Sequence, residues 1–157
     1  MNNERKWILR GGRVLNPAPF CLIGIVNVTP DSFSDGGKYI DPRNAVAHGL
    51  RLLDEGAGML DLGAESTRPF AEPVPEGEEI ARLMPVVARL REQRPDAVLS
   101  VDTLKAGTAR AALEGGADII NDVSACVADP ALLDVLAEYK PGYVLMHSQG
   151  SPREMQV

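Results

Sequence analysis

The sequence predicts an α/β protein of the (β/α)8 TIM-barrel type, with about five β/α units behind an N-terminal β-hairpin. Three observations carry that prediction. Short apolar runs alternate with helix-period segments five times, which implies a parallel sheet with right-handed crossovers. Each run ends in polar residues: Asn27, then Glu65 to Arg68, Asp102, Asn121 and His147. No glycine fingerprint or phosphate loop follows the first strand, as a nucleotide-binding doubly wound sheet would need. Polar residues at the ends of many strands are the habit of a barrel, whose site is its C-terminal face. A closed barrel takes roughly 200 residues or more, so these 157 residues are expected to form an incomplete, open one.

The first buried run, residues 21–27 (CLIGIVN), is almost wholly apolar and rich in branched side chains. That is the pattern of a strand covered on both faces. A polar loop follows, in which Pro30 and the pair Gly36-Gly37 exclude a continuing strand or helix. Loops of that length carry chemistry more often than packing. Upstream, Trp7-Ile8-Leu9 and Val14-Leu15 around Gly11-Gly12 predict a short hairpin. Residues 1–20 are thus a cap, and residues 21–157 the β/α units of one domain. Asp41-Pro42 predicts an N-cap with proline at the first helical position. Val46, Leu50 and Leu53 supply that helix's apolar face, and Gly56 stops it.

Further strands are expected at residues 59–62, 98–101, 119–120 and 143–146. Ile80, Leu83, Met84, Val87 and Leu90 mark the second helix, with a kink expected at Pro85. An alanine-rich helix runs to Gly115-Gly116. Asp129-Pro130 repeats the capping device before Leu132, Leu133, Leu136 and Tyr139.

Composition narrows the function. A hydrophobic share of 45% and a charged share of 24% are ordinary for a globular domain. The net charge of −6 argues against nucleic acid, which selects a basic face. No apolar run has the length of a membrane span, and the first six residues lack the apolar core of a secretory signal. Cys21 and Cys126 stand in no metal-ligand spacing and read as reduced core thiols. The expectation is a cytoplasmic protein that acts on small molecules, without nucleic-acid or membrane partners, and open to homo-oligomer formation.

Each strand-end residue has a structural reading beside the functional one. Asn27 suits a turn cap, Asp102 the N-cap of the helix after it, and Asn121-Asp122 a turn. Asp61 reads as a paired residue inside the barrel, and His147 as a hydrogen-bonded strand end. Gathered on one rim, these residues favour a site. Its chemistry is limited in kind, because nucleophile elbow, Ser–His–acid set and activated cysteine are all lacking. Arg68 and Lys38, on the two long loops, suit a phosphate or pyrophosphate. Asp102 and Asn121 suit a flat heterocycle with alternating donors and acceptors. The amide oxygen of Asn27 suits a hard cation such as Mg²⁺ that bridges to phosphates. The residues alone point to transfer of a group activated by a phosphate leaving group.

Five blocks carry a resemblance to a known family: residues 23–39 (IGIVNVTPDSFSDGGKY), 61–69 (DLGAESTRP), 100–103 (SVDT), 119–124 (IINDVS) and 145–156 (LMHSQGSPREMQ). In order and spacing they resemble dihydropteroate synthase. The resemblance implies a (β/α)8 barrel and a transferase of folate biosynthesis. That enzyme joins 6-hydroxymethyl-7,8-dihydropterin pyrophosphate to p-aminobenzoate, releasing pyrophosphate, and sulfonamides compete with p-aminobenzoate. Residue by residue, it implies that Asn27 meets Mg²⁺ and the pyrophosphate. Thr67 and Arg68 take the pyrophosphate and aminobenzoate positions, and Asp102 and Asn121 hold the pterin ring with Met146 packed nearby. Phe33 and Pro69 help shape the aminobenzoate pocket.

The sequence departs from the family pattern at Phe70, where glycine is usual, and at Ser148, where methionine is common. The resemblance also places a later pterin-binding aspartate, a lysine and an Arg-x-His anion clamp beyond Val157. These 157 residues alone are therefore expected to be inactive. Two other readings stay open: a corrinoid-linked, pterin-binding methyltransferase domain, and a non-catalytic pterin-binding paralogue.

Overall fold

Branched and long aliphatic residues crowd five short segments, and those segments form one parallel sheet. The structure, a computed structural model, describes residues 6–29, 41–65 and 73–146. Two short strands come first, β1 (Trp7–Ile8) and β2 (Val14–Leu15), paired antiparallel around a 3-10 turn at Arg10–Gly12. The sheet strands are β3 (Ile23–Asn27), β4 (Met59–Gly63), β5 (Leu99–Asp102), β6 (Ile119–Asp122) and β7 (Gly142–Leu145). Helices α1 (Pro42–Asp54), α2 (Glu76–Gln93), α3 (Ala106–Glu114) and α4 (Leu132–Tyr139) alternate with them. The strands lie in chain order, β3-β4-β5-β6-β7. A doubly wound sheet would reverse direction at a switch point. Unbroken order is that of consecutive barrel units, and the expected hairpin stands before them.

The two faces of the sheet bury different things. On the helix side, Val26, Leu60, Leu62, Leu99, Val101 and Ile120 pack against Leu83, Val87, Leu90 and Leu113 in the main core. On the other side, at the N-terminal ends of the strands, Met59, Val98 and Ile119 form a second core with Leu9 and Trp7 of the hairpin region. The hairpin therefore plugs the lower mouth and leaves the C-terminal ends of the strands to build a site. Arg13 fastens it there, donating from Nη1 to the carbonyl of Ala97 at 2.9 Å and from Nη2 to that of Pro95 at 3.1 Å.

Two local expectations change. The first sheet strand is not covered on both faces, since buried and exposed residues alternate along it and Ile25 is 62% exposed. β3 is a sheet edge, and no described element lies over its Ile23–Ile25 side, so an apolar run there does not mean two covered faces. The helix expected after Asp129-Pro130 starts at Leu132 instead. Asp129 uses Oδ1 to accept from Ala131 N at 3.1 Å, while its Oδ2 accepts from Ala106 N at the start of α3. Helix α2 runs through Pro85 as one element. The start of α1 is as expected, with Asp41 accepting from Arg43 N at 2.9 Å and Pro42 leading the helix. Among the described residues, no helix is long and apolar enough to cross a membrane.

Candidate functional site

Strand register gathers the polar strand ends into one row. Asn27 pairs with Gly63, Gly63 with Asp102, Asp102 with Asn121, and Asn121 with Val144. Alternate residues of a strand share a face, so all five positions lie on the side away from the helices. Gly63 is a notch in this row. A methyl group there would stand 3.7 Å from Cβ of Asp102 and 3.9 Å from Oδ1 of Asn27. Met146, just past β7, follows Val144 in the same alternation and is 36% exposed. Phe33, Lys38, Thr67, Arg68, Pro69, Phe70, His147 and Ser148 lie outside the described residues.

Asp102 is not the N-cap of α3. The first amides of that helix are met from elsewhere: Ala106 N donates to Asp129 Oδ2 at 2.8 Å and Gly107 N to Glu76 Oε2 at 3.0 Å. The carboxyl group of Asp102 is thus left to the row. Burial, and then the carboxylates of Asp61, Glu79, Asp122 and Glu65, push its pKa up to about 7. Near neutral pH it both accepts and donates hydrogen bonds, according to its protonation.

Asn121 and Asp122 separate by one residue and thereby by function. Asp122 points to the helix side and is wholly buried. Its Oδ1 accepts from Ser124 N at 2.7 Å and Ser124 Oγ at 2.8 Å, and its Oδ2 from Cys126 N at 2.6 Å and Tyr143 OH at 2.9 Å. Burial alone would raise its pKa, but these donors hold it below the ordinary value. Asp122 is the turn residue. Asn121, on the site side, donates from Nδ2 to Oδ2 of Asp61 at 2.9 Å.

A partly buried ion cluster backs the tip of β4. Lys105 Nζ donates to Oε2 of Glu79 at 2.7 Å and to Oε2 of Glu65. Burial disfavours the ammonium, yet the two carboxylates outweigh it and raise its pKa. Glu79 is 1% exposed and also accepts from Thr108 Oγ1 at 3.1 Å. Arg82 Nη1 holds the carbonyl of Ala64 at 3.0 Å. Strand β4 and helices α2 and α3 are thereby tied together behind Gly63. Sequence reasoning missed Glu79, although it falls four residues before Leu83 on the helix's buried stripe. Among the described residues, no cluster of three or more His, Cys, Asp or Glu side chains is placed to hold a metal ion.

Residues 23–157 match the family of pterin binding enzymes. The chain belongs to this family. Its relatives include the dihydropteroate synthase of Mycobacterium leprae, 50% identical over 130 residues that make up 83% of this chain and 45% of the relative. That of Streptococcus pyogenes serotype M18 is 45% identical over 138 residues, 88% of this chain and 52% of the relative. Among solved structures, Xanthomonas albilineans dihydropteroate synthase with 4-aminobenzoic acid superposes with a TM-score of 0.83 at 48% identity, over 92% of this chain and 54% of that one. The Yersinia pestis enzyme in a sulfonamide complex gives 0.85 at 43% identity, over 97% and 54%. A Xanthomonas albilineans structure holds 7,8-dihydropteroate and gives 0.77 at 46% identity, over 90% and 51%. The chain spans about half the length of the relatives it matches.

Proposed function

We propose that the protein is a dihydropteroate synthase, or the part of one that carries the first pterin-binding residues. The reaction is condensation of 6-hydroxymethyl-7,8-dihydropterin pyrophosphate with p-aminobenzoate. The amine nitrogen bonds to the methylene carbon at C6, the carbon–oxygen bond to pyrophosphate breaks, and the amine loses a proton. One observation supports this most: the row in which Asn27, Asp102 and Asn121 meet across the notch at Gly63. Asp102 and Asn121 take the ring, and Thr67, Arg68, Phe33 and Pro69 take the aminobenzoate and pyrophosphate ends. Met146 packs beside the ring.

Pyrophosphate departs first and leaves a pterin cation. The carboxylates around Asp102 favour such a cation electrostatically. Asn27 would offer Mg²⁺ one hard amide oxygen, and among the described residues no cluster of His, Cys, Asp or Glu side chains forms a cage for the ion. An ion that keeps its waters and shares phosphate oxygens suits such a place, and it would neutralise charge on the departing pyrophosphate. Sulfonamides are expected to compete for the aminobenzoate end. The cytoplasm, where pyrophosphate esters and reduced thiols persist, is the expected compartment, and small molecules rather than nucleic acid or membrane are the expected partners.

The test is dihydropteroate formation by the full-length protein, with and without a Mg²⁺ chelator. Formation that stops on chelation and returns with Mg²⁺ is the expected result. Tight pterin binding without any product would assign the protein to the non-catalytic reading instead.

A further inference from the structure

Asp61 lies inside β4, two residues before the notch, and its two oxygens are treated differently. Oδ2 accepts from Nδ2 of Asn121 at 2.9 Å, whereas Oδ1 is buried and meets no hydrogen-bond donor among the described residues. Its register neighbour on β5, Ser100, is fully buried with an equally unmatched Oγ. A carboxylate retained only to hold strands together would have both oxygens matched, because each unmatched buried acceptor is costly. Among the described residues, the one hydrogen bond made by the Asp61 side chain is to a residue of the site.

From this we infer that Asp61 is a positioning residue that sets which way round the Asn121 amide faces the ring. An asparagine side chain turned by half a revolution exchanges its oxygen and nitrogen with little change of shape, so packing alone does not choose. An ionised carboxylate accepts and never donates, and it therefore fixes the nitrogen toward itself. Asn121 is left with its oxygen and its second N–H toward the row, an acceptor beside a donor. That pair complements a ring edge on which an exocyclic amino group adjoins a bare ring nitrogen, as in a 2-amino-4-oxo heterocycle. A 2-oxo ring carries an acceptor where the amino group would be and meets the amide oxygen unfavourably. Asp61 thus acts in selectivity, through Asn121, without itself touching the ring.

The assignment rests on the pterin reading proposed above, and the experiment separates the two. Dissociation constants for 6-hydroxymethylpterin and 6-hydroxymethyllumazine, which differ at the 2-amino group, are measured on the full-length protein and on Asp61→Leu and Asp61→Ala. In Asp61→Leu the acceptor is gone; in Asp61→Ala water, donor and acceptor alike, takes its place. The unaltered protein is expected to prefer the pterin by about tenfold or more, and both variants by less than about threefold. The NMR signals of the Asn121 side-chain amide are followed in the ligand-free protein. They should move toward those of an exposed asparagine in both variants. Circular dichroism identifies any variant that fails to fold, and the other then decides. A folded variant that keeps the original preference and the original amide signals overturns the assignment. A protein that binds neither ring overturns the functional reading, and the amide signals still decide whether Asp61 orients Asn121.

Discussion

Asp102 sits where stability and binding pull in opposite directions. Its ordinary pKa of 3.8 is raised to about 7, by burial first and neighbouring carboxylates second. Between those values the folded protein holds a proton that the unfolded chain releases. Stability therefore falls as pH rises from about 4 to about 7 and is flat beyond. Asp102→Asn removes the titrating group. Urea unfolding should show the variant more stable than the parent by on the order of 4 kcal/mol at pH 8 and little different at pH 4. Equal stabilities at both pH values would contradict the assigned shift. At this scale the sequence was legible where a polar residue ends an apolar run, as at Asn27, Asp102 and Asn121. It was not legible where the partner comes from another strand or helix. Nothing within residues 59–63 says that Asp61 will meet Asn121, sixty residues on, or that Lys105 will meet a buried Glu79.

The hairpin is the element that fits the strands for a site, because it fills the lower mouth. Its seat depends on Gly142, where an added methyl carbon would stand 2.7 Å from Cδ2 of Leu9, 2.9 Å from Cγ1 of Ile119 and 3.1 Å from Cζ2 of Trp7. The first two contacts are closer than atoms allow and the third is tight, so Gly142→Ala should displace the hairpin and cost about 1–3 kcal/mol. A urea midpoint unchanged by the substitution would show that the hairpin is not seated as described. Elements with strong local signals were read correctly, namely the hairpin around its glycines and α1 with its Asp-Pro start. The start of α4 was misread because Asp129 looks like a local cap but divides its oxygens between its own turn and the first amide of α3. Tertiary demand outweighed the local pattern there.

For the whole molecule, the two sheet edges matter most. Among the described residues β3 and β7 each have one unpaired side, and Ile23, Ile25 and Leu145 on them are 53%, 62% and 59% exposed. Bare parallel edges with apolar neighbours favour association. Residues 1–157 expressed alone should sediment as more than a monomer, and Ile25→Lys should reduce that association. A monomer at all concentrations would show the exposed strand to be tolerated in water. The barrel class was legible because the alternation of runs and the strand-end polar residues are properties of the whole sequence. The uncovered face of β3 was not, since an apolar strand reads alike whether or not anything lies over it.

In the proposed function, the row of Asn27, Asp102 and Asn121 holds a pterin. Calorimetric titration of the full-length protein and of Asp102→Asn with 6-hydroxymethyl-7,8-dihydropterin pyrophosphate tests it most directly. Loss of a charge-assisted hydrogen bond in a half-buried site is worth on the order of 2–4 kcal/mol. The variant should therefore bind about a hundredfold more weakly while remaining folded at least as stably as the parent. Equal affinity of parent and variant would remove Asp102 from the pterin site and leave the row without the function assigned to it.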